Sequence, residues 1–266
     1  MKYFEFGREN RELMVMLHGG GVSYRGELPA AEEMAKVYHV VLAAYDGFSP
    51  DEPETEFKSP MDEARRLGDY ITERYGGKID ILYGISYGCR VLMEVLRDER
   101  LTITTTIADG MGLRDYPNIR SRWGKEVYCF FFTGLFYVIM GRPGPRRKKF
   151  LAKIAGRELQ EAERILYGKA TWKSWKNQDY FLIGKKTDYS LFGKTHMYLW
   201  YGIKGSVDKK LSANLRALKQ KGYPFEEKIF TDLGHGGLAG EHPQQFSQEV
   251  QAAHRRSPAG GADDAI

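Results

Sequence analysis

The sequence is poor in cysteine, in long apolar runs and, across one interval, in acid. Cysteine occurs only at Cys89 and Cys129. Neither belongs to a CxxC pair or a Cys/His cluster with metal spacing, so the chain carries no disulfide framework and no zinc module of that kind. Both thiols are expected to be free and mostly buried. The opening MKYFEFGREN is charged where a secretory leader would run apolar, which makes the cytoplasm the expected location. The apolar run from Val127 to Met140 has 14 residues, short of the roughly 20 that span a bilayer, and reads as a buried or interfacial helix.

Acid is missing from GRPGPRRKKFLAK (141–153), which holds Arg142, Arg146, Arg147, Lys148, Lys149 and Lys153. The chain has a net charge of +5, so the remainder carries −1. A basic patch this local, with no accompanying binding motif, does not indicate a nucleic-acid partner. It reads as a solvated loop and helix face, or as a surface that meets anionic lipid or an acidic partner.

What the sequence does contain is the composition of a globular chain, 42% hydrophobic and 28% charged over 266 residues. Runs rich in β-branched and aromatic residues recur at 13–18, 37–45, 79–84, 101–108, 196–203 and 225–233. Amphipathic segments of helical length separate most of them, as at 29–38, 61–77 and 208–223. This alternation predicts an α/β fold with a mainly parallel sheet covered on both faces, and KYFEF pairing at one edge. From about 111 to 195 no strand is evident, and the aromatic, basic sequence there reads as a helical insertion before the penultimate strand. The expected division is a core of 1–110 and 196–256, an insertion of 111–195, and a disordered tail of 257–266.

Within this frame LYGISYGCR (82–90) places Ser86 between Gly84 and Gly88, after a strand and before a helical pattern. A G-x-S-x-G at a strand-to-helix turn is the pattern of a nucleophile elbow, where flanking glycines let the chain turn sharply and leave the hydroxyl exposed. A serine hydroxyl needs a positioned base. Of six histidines, only His235, in DLGHGGL, follows the last strand into a glycine-rich loop at the end of the sheet where Ser86 lies. His18-Gly19-Gly20-Gly21, just after LMVML, offers a backbone that can approach closely, and the amides of Gly20 and Tyr87 are the candidate oxyanion donors.

HGGG, then GISYG, then a helical insertion, then GHGGL: in this order the chain resembles the α/β-hydrolase family over roughly residues 1–256. The resemblance implies a Ser–acid–His triad, an acyl-enzyme intermediate, no metal and no organic cofactor. It departs from the family at the acid, because the usual G-x-x-D reads Gly202-Ile203-Lys204-Gly205. Asp109, one strand earlier, is the leading replacement, and Asp208 is the alternative, although it would also cap a helix. The resemblance further implies that the insertion caps the serine. Trp123, Tyr128, Phe130, Phe131, Phe132, Phe136 and Tyr137 would give such a cap an apolar underside, with Phe131, Phe132 and Phe136 as substrate contacts. The expected activity is hydrolysis of a small-molecule carboxyl ester or thioester, with peripheral membrane contact as a further expectation. Two alternatives share the fold: peptidase or acyltransferase chemistry on the same machinery, and a binding protein with weak turnover.

Overall fold

The computed structural model describes residues 1–113, 115–141, 144–155, 158–166, 169–204 and 211–257. Seven strands form one sheet in the order β1-β3-β2-β4-β5-β6-β7. They are β1 (Lys2–Phe6), β2 (Leu13–Leu17), β3 (His39–Ala44), β4 (Lys78–Ile85), β5 (Thr102–Asp109), β6 (His196–Gly202) and β7 (Glu226–Phe230). Every neighbouring pair is parallel except edge strand β1, which runs antiparallel to β3. All six internal runs and the opening edge segment thus form the strands that their composition predicts.

Strand alternation divides the core. Leu13, Val15 and Leu17 face one side and pack with Leu67 and Ile71 of α2 (Pro60–Tyr75), Leu92 of α3 (Gly88–Val95) and Leu215 of α8 (Leu211–Gln220). Met14 and Met16 face the other side, with α1 (Leu28–Met34), α9 (Gly237–Glu241) and α10 (Pro243–Arg255). Both faces are covered, as a parallel sheet requires. Helix α2 shows how local chemistry sets an element. Ser59 caps it by accepting from the Asp62 amide at 3.0 Å, Pro60 fills its first turn, and Gly76 at φ 61° ends it in the left-handed conformation.

Between β5 and β6 lie α4 (Arg122–Met140), α5 (Pro145–Ala155), α6 (Leu159–Ile165) and α7 (Trp172–Tyr180). The interval is helical, as its sequence predicts. No helix among the described residues is long and apolar enough to cross a membrane. Cys89 and Cys129 are free and buried. Ser257 does not belong to a tail: it is buried and hydrogen-bonded to Thr105 at 2.8 Å, because the end of α10 packs on β5. Residues 258–266 of the expected tail lie outside the described residues.

Candidate active site

Strand β4 ends at Ile85 and α3 begins at Gly88, leaving Ser86 and Tyr87 to make the turn. Ser86 takes φ 54°, the one non-glycine residue with positive φ among those described. Such a conformation costs about 1–3 kcal/mol and persists where its surroundings enforce it. Here the Ser86 amide donates to the Asp109 carbonyl at 2.7 Å, and the Ser86 carbonyl accepts from the Cys89 amide at 3.1 Å. The glycines are sterically required. A Cβ on Gly88 would fall 2.5 Å from the Leu17 carbonyl oxygen, and one on Gly84 would fall 3.0 Å from the Gly88 backbone.

The glycine loop after β2 lies beside this turn. A Cβ on Gly19 would stand 3.8 Å from that of Ser86, and one on Gly20 would stand 2.7 Å from that of Tyr87. The backbones of Gly20 and Tyr87 are therefore neighbours, which two converging oxyanion donors require. His18 fixes the loop from below. Its Nδ1 donates to the Gly19 carbonyl at 2.8 Å and its Nε2 accepts from the Tyr45 amide at 3.1 Å. That pair of bonds demands the neutral ring, and complete burial pushes its pKa down to about 3. His18 is a structural residue.

His235 lies between β7 and α9. The loop before it is held against the end of β6: the Lys204 amide donates to the Leu233 carbonyl at 2.8 Å, and a Cβ on Gly202 would stand 2.8 Å from the Gly234 carbonyl carbon. The imidazole rests on Gly110, where a Cβ would come within 2.6 Å of Nδ1. The last residue of β5 and the one after it thus touch both groups, the Asp109 carbonyl holding Ser86 and the Gly110 α-carbon supporting His235. The Ser86 hydroxyl makes no hydrogen bond among the described residues. In unliganded sites such bonds are often long and tighten around substrate. Of the other histidines, His39 bonds Glu5, His196 bonds Glu226 and His254 bonds Thr105 and Glu12.

The Asp109 carboxylate is buried and accepts the Tyr83 hydroxyl at 3.0 Å. Burial and that carboxylate push the Tyr83 hydroxyl well above its ordinary pKa, so it stays a donor. Gly205 and Asp208 lie outside the described residues.

Helix α7 is what lies against the glycine loop. Trp175 packs on Gly21, where a Cβ would come within 2.6 Å of its Cζ2. Ser174 accepts from the Phe57 amide at 3.2 Å, and Asn177 donates to the Phe57 carbonyl at 2.9 Å. Tyr87 donates its hydroxyl to the Gln178 carbonyl at 2.8 Å. The Gln178 side chain is 5% exposed, with Oε1 placed 2.9 Å from where a Gly20 Cβ would be and Nε2 without a partner among the described residues. Sequence reasoning missed Gln178, since a polar residue in WKSWKNQDY reads as solvated.

Helix α4 packs on α7 through Cys129 and Thr133, with Tyr137 reaching Trp175. Phe131, Phe132 and Phe136, expected as substrate contacts, are 72%, 41% and 42% exposed. Phe131 lies on the side of α4 opposite Cys129, whereas Phe132 and Phe136 flank the side that packs on α7, the helix that lies between α4 and the glycine loop. Among the described residues, no group of three or more His, Cys, Asp or Glu could hold a metal ion.

The family model described as alpha/beta hydrolase family matches residues 14–249. No curated protein sequence matches the chain. Several solved structures share its fold. A protein assigned to the alpha/beta hydrolase family from Desulfitobacterium hafniense is 15% identical, with a TM-score of 0.69 over 94% of this chain and 99% of that one. A thermophilic esterase from Thermogutta terrifontis is 16% identical, with a TM-score of 0.67 over 96% of this chain and 92% of the other. The epoxide hydrolase CorEH is 15% identical, with a TM-score of 0.63 over 94% and 93%. At these identities the likeness shows the fold, and the proteins that share it attack different bonds.

Proposed function

The chain belongs to the α/β-hydrolase family, and on that premise we propose that it is a serine hydrolase cleaving a carboxyl ester or thioester through an acyl-enzyme. The observation that carries this reading is the shared support of nucleophile and base. Ser86 hangs from the Asp109 carbonyl at 2.7 Å, and His235 rests on the adjoining Gly110.

In the proposed reaction the Ser86 Oγ attacks the substrate carbonyl carbon while His235 takes the hydroxyl proton. The oxyanion so formed lies between the amides of Gly20 and Tyr87. Collapse expels the alcohol or thiol, which leaves with the proton from His235. A water then attacks the acyl carbon, passes its proton to His235, and releases the acid as that proton returns to Ser86. Asp109 is the proposed acid that orients the imidazole, with Asp208 as its alternative. Phe57 packs edge-on against both Tyr87 and Phe48, and Phe48 packs against Trp175, so the wall beside the turn is aromatic and matches an apolar acyl group. In this reading α7, backed by α4, serves as the cap.

Labelling with a fluorophosphonate probe tests the reading. The native protein is expected to label, Ser86→Ala not at all, and His235→Ala at least about 100-fold more slowly. Native protein that stays unlabelled would overturn it. Asp109→Asn and Asp208→Asn, made separately, should differ by orders of magnitude in turnover of p-nitrophenyl esters, the true acid being the costly one.

A further inference from the structure

Two adjoining helices of the insertion leave a large apolar and basic surface exposed. On α4, Trp123, Phe130, Phe131, Leu135 and Val138 are 77%, 67%, 72%, 58% and 53% exposed. At 3.6 residues per turn they lie within about 140° of arc. Cys129 and Thr133, buried against α7, lie on the opposite side. Exposed aromatics gathered into one such face, rather than scattered singly, mark an interaction surface.

Helix α5 continues this surface with charge. Arg146, Lys149, Phe150 and Lys153 are exposed and spaced i, i+3, i+4 and i+7, which puts three cations and an aromatic ring on one stripe. Arg147 donates to the Val138 carbonyl and so ties this helix to the exposed end of α4. The interval 141–153 has no acid to neutralise the stripe, and the rest of the chain is close to neutral.

We propose that α4 and α5 dock the protein on the surface of an anionic lipid bilayer. The rings of α4 enter the boundary between headgroups and acyl chains, while Arg146, Lys149 and Lys153 meet headgroup phosphates. Charge complementarity selects this occupant. A face of tryptophan, phenylalanine and leucine bordered by cations is the chemistry of an interfacial helix, and each cation near an anionic leaflet adds to binding until salt screens it. The apolar stretch is too short to cross the bilayer, so the helix lies along it. The inference does not require Ser86 to be a nucleophile.

Sedimentation with extruded vesicles tests it on the full chain. At low salt the native protein is expected to bind phosphatidylcholine–phosphatidylserine vesicles at least about tenfold better than pure phosphatidylcholine vesicles, with the preference shrinking as salt rises. The double variant Arg146→Glu/Lys149→Glu should lose the preference, and Phe130→Ser/Leu135→Ser should bind both vesicles more weakly. Trp123 is the most exposed of the four tryptophans, so binding should shift emission to the blue in the native protein and much less in Trp123→Phe. Unchanged melting temperatures would show that these surface variants still fold. Native protein that remains in the supernatant with both vesicles would overturn the proposal. So would binding that both double variants leave intact, or a concentration-dependent dimer dissolved by the same variants, which would assign the face to a second copy. Vesicle binding retained by Ser86→Ala would uphold the docking and leave the catalytic reading to the labelling experiment.

Discussion

The imidazole of His235 lies on the bare α-carbon of Gly110, and a methyl group there would press within 2.6 Å of Nδ1. Gly110 also has φ +64°, which a side chain tolerates poorly. Gly110→Ala should therefore displace the base. We expect kcat on p-nitrophenyl esters to fall by about 100-fold or more, with KM little changed, because a small misplacement of a catalytic group is costly. Steady-state kinetics beside a melting curve would check this, and full activity in a folded Gly110→Ala protein would contradict it.

Gly20→Ala should act on the other partner of the reaction. The new Cβ would collide with that of Tyr87 at 2.7 Å, and neither atom is the free end of a flexible chain. The two candidate oxyanion donors would be pushed apart. A loss of about 100- to 1,000-fold in kcat is expected, the range for one oxyanion donor. Retained turnover would remove Gly20 from the donor pair.

Gln178 offers a separation of stability from activity. Its Nε2 is buried without a partner among the described residues, beside Gly20. Replacing an unsatisfied buried amide by an apolar group of similar size is close to neutral for folding. Gln178→Leu should thus keep or raise Tm while lowering kcat by about tenfold, if the amide serves bound substrate. Equal kcat with equal Tm would leave Gln178 without a role in turnover.

Stability should vary with pH through two buried groups of opposite sense. Glu63, enclosed in α2, is pushed up to about 8 by burial, and its oxygens have no partner among the described residues. The folded state holds a proton on Glu63 that the unfolded chain sheds near 4.5, so stability falls as pH rises from about 4.5 to about 8. His18 is held down to about 3 against 6.5 in the open chain, so stability falls as pH drops from about 6.5 to about 3. The two slopes cancel between about 4.5 and 6.5, and a plateau in Tm is expected there. Thermal melts of Glu63→Gln should lose both the decline above the plateau and the plateau itself, leaving the His18 decline to run from about 6.5 down to about 3.

The sheet was legible because its strands are apolar runs of β-branched and aromatic residues divided by amphipathic helices, as in LMVML and IDILYGI. Ser86 was legible through steric need, since glycines at 84 and 88 are demanded by backbone that a side chain would strike. His235 was legible by position after the last strand. What could not be read was which helix of the insertion faces the core. Hydropathy favours α4, with its run of phenylalanines, over WKSWKNQDY, yet Ser174, Trp175 and Gln178 are the buried residues. Two of them are tied in place by pairings between distant segments that a local pattern does not encode: the Ser174 hydroxyl accepts from the Phe57 amide, and the Gln178 carbonyl accepts from the Tyr87 hydroxyl. Asp109 was legible as a carboxylate at a strand end, whereas its tie to Tyr83 is a cross-strand relation visible only in the fold.

The perch of His235 on Gly110 has a consequence for the unusual acid. Main chain just beyond β5 and the loop wedged against Gly202 bring the ring to this place, whichever carboxylate then orients it. A lineage could then exchange one acidic side chain for another, from a different strand end, without rebuilding the rest of the machinery.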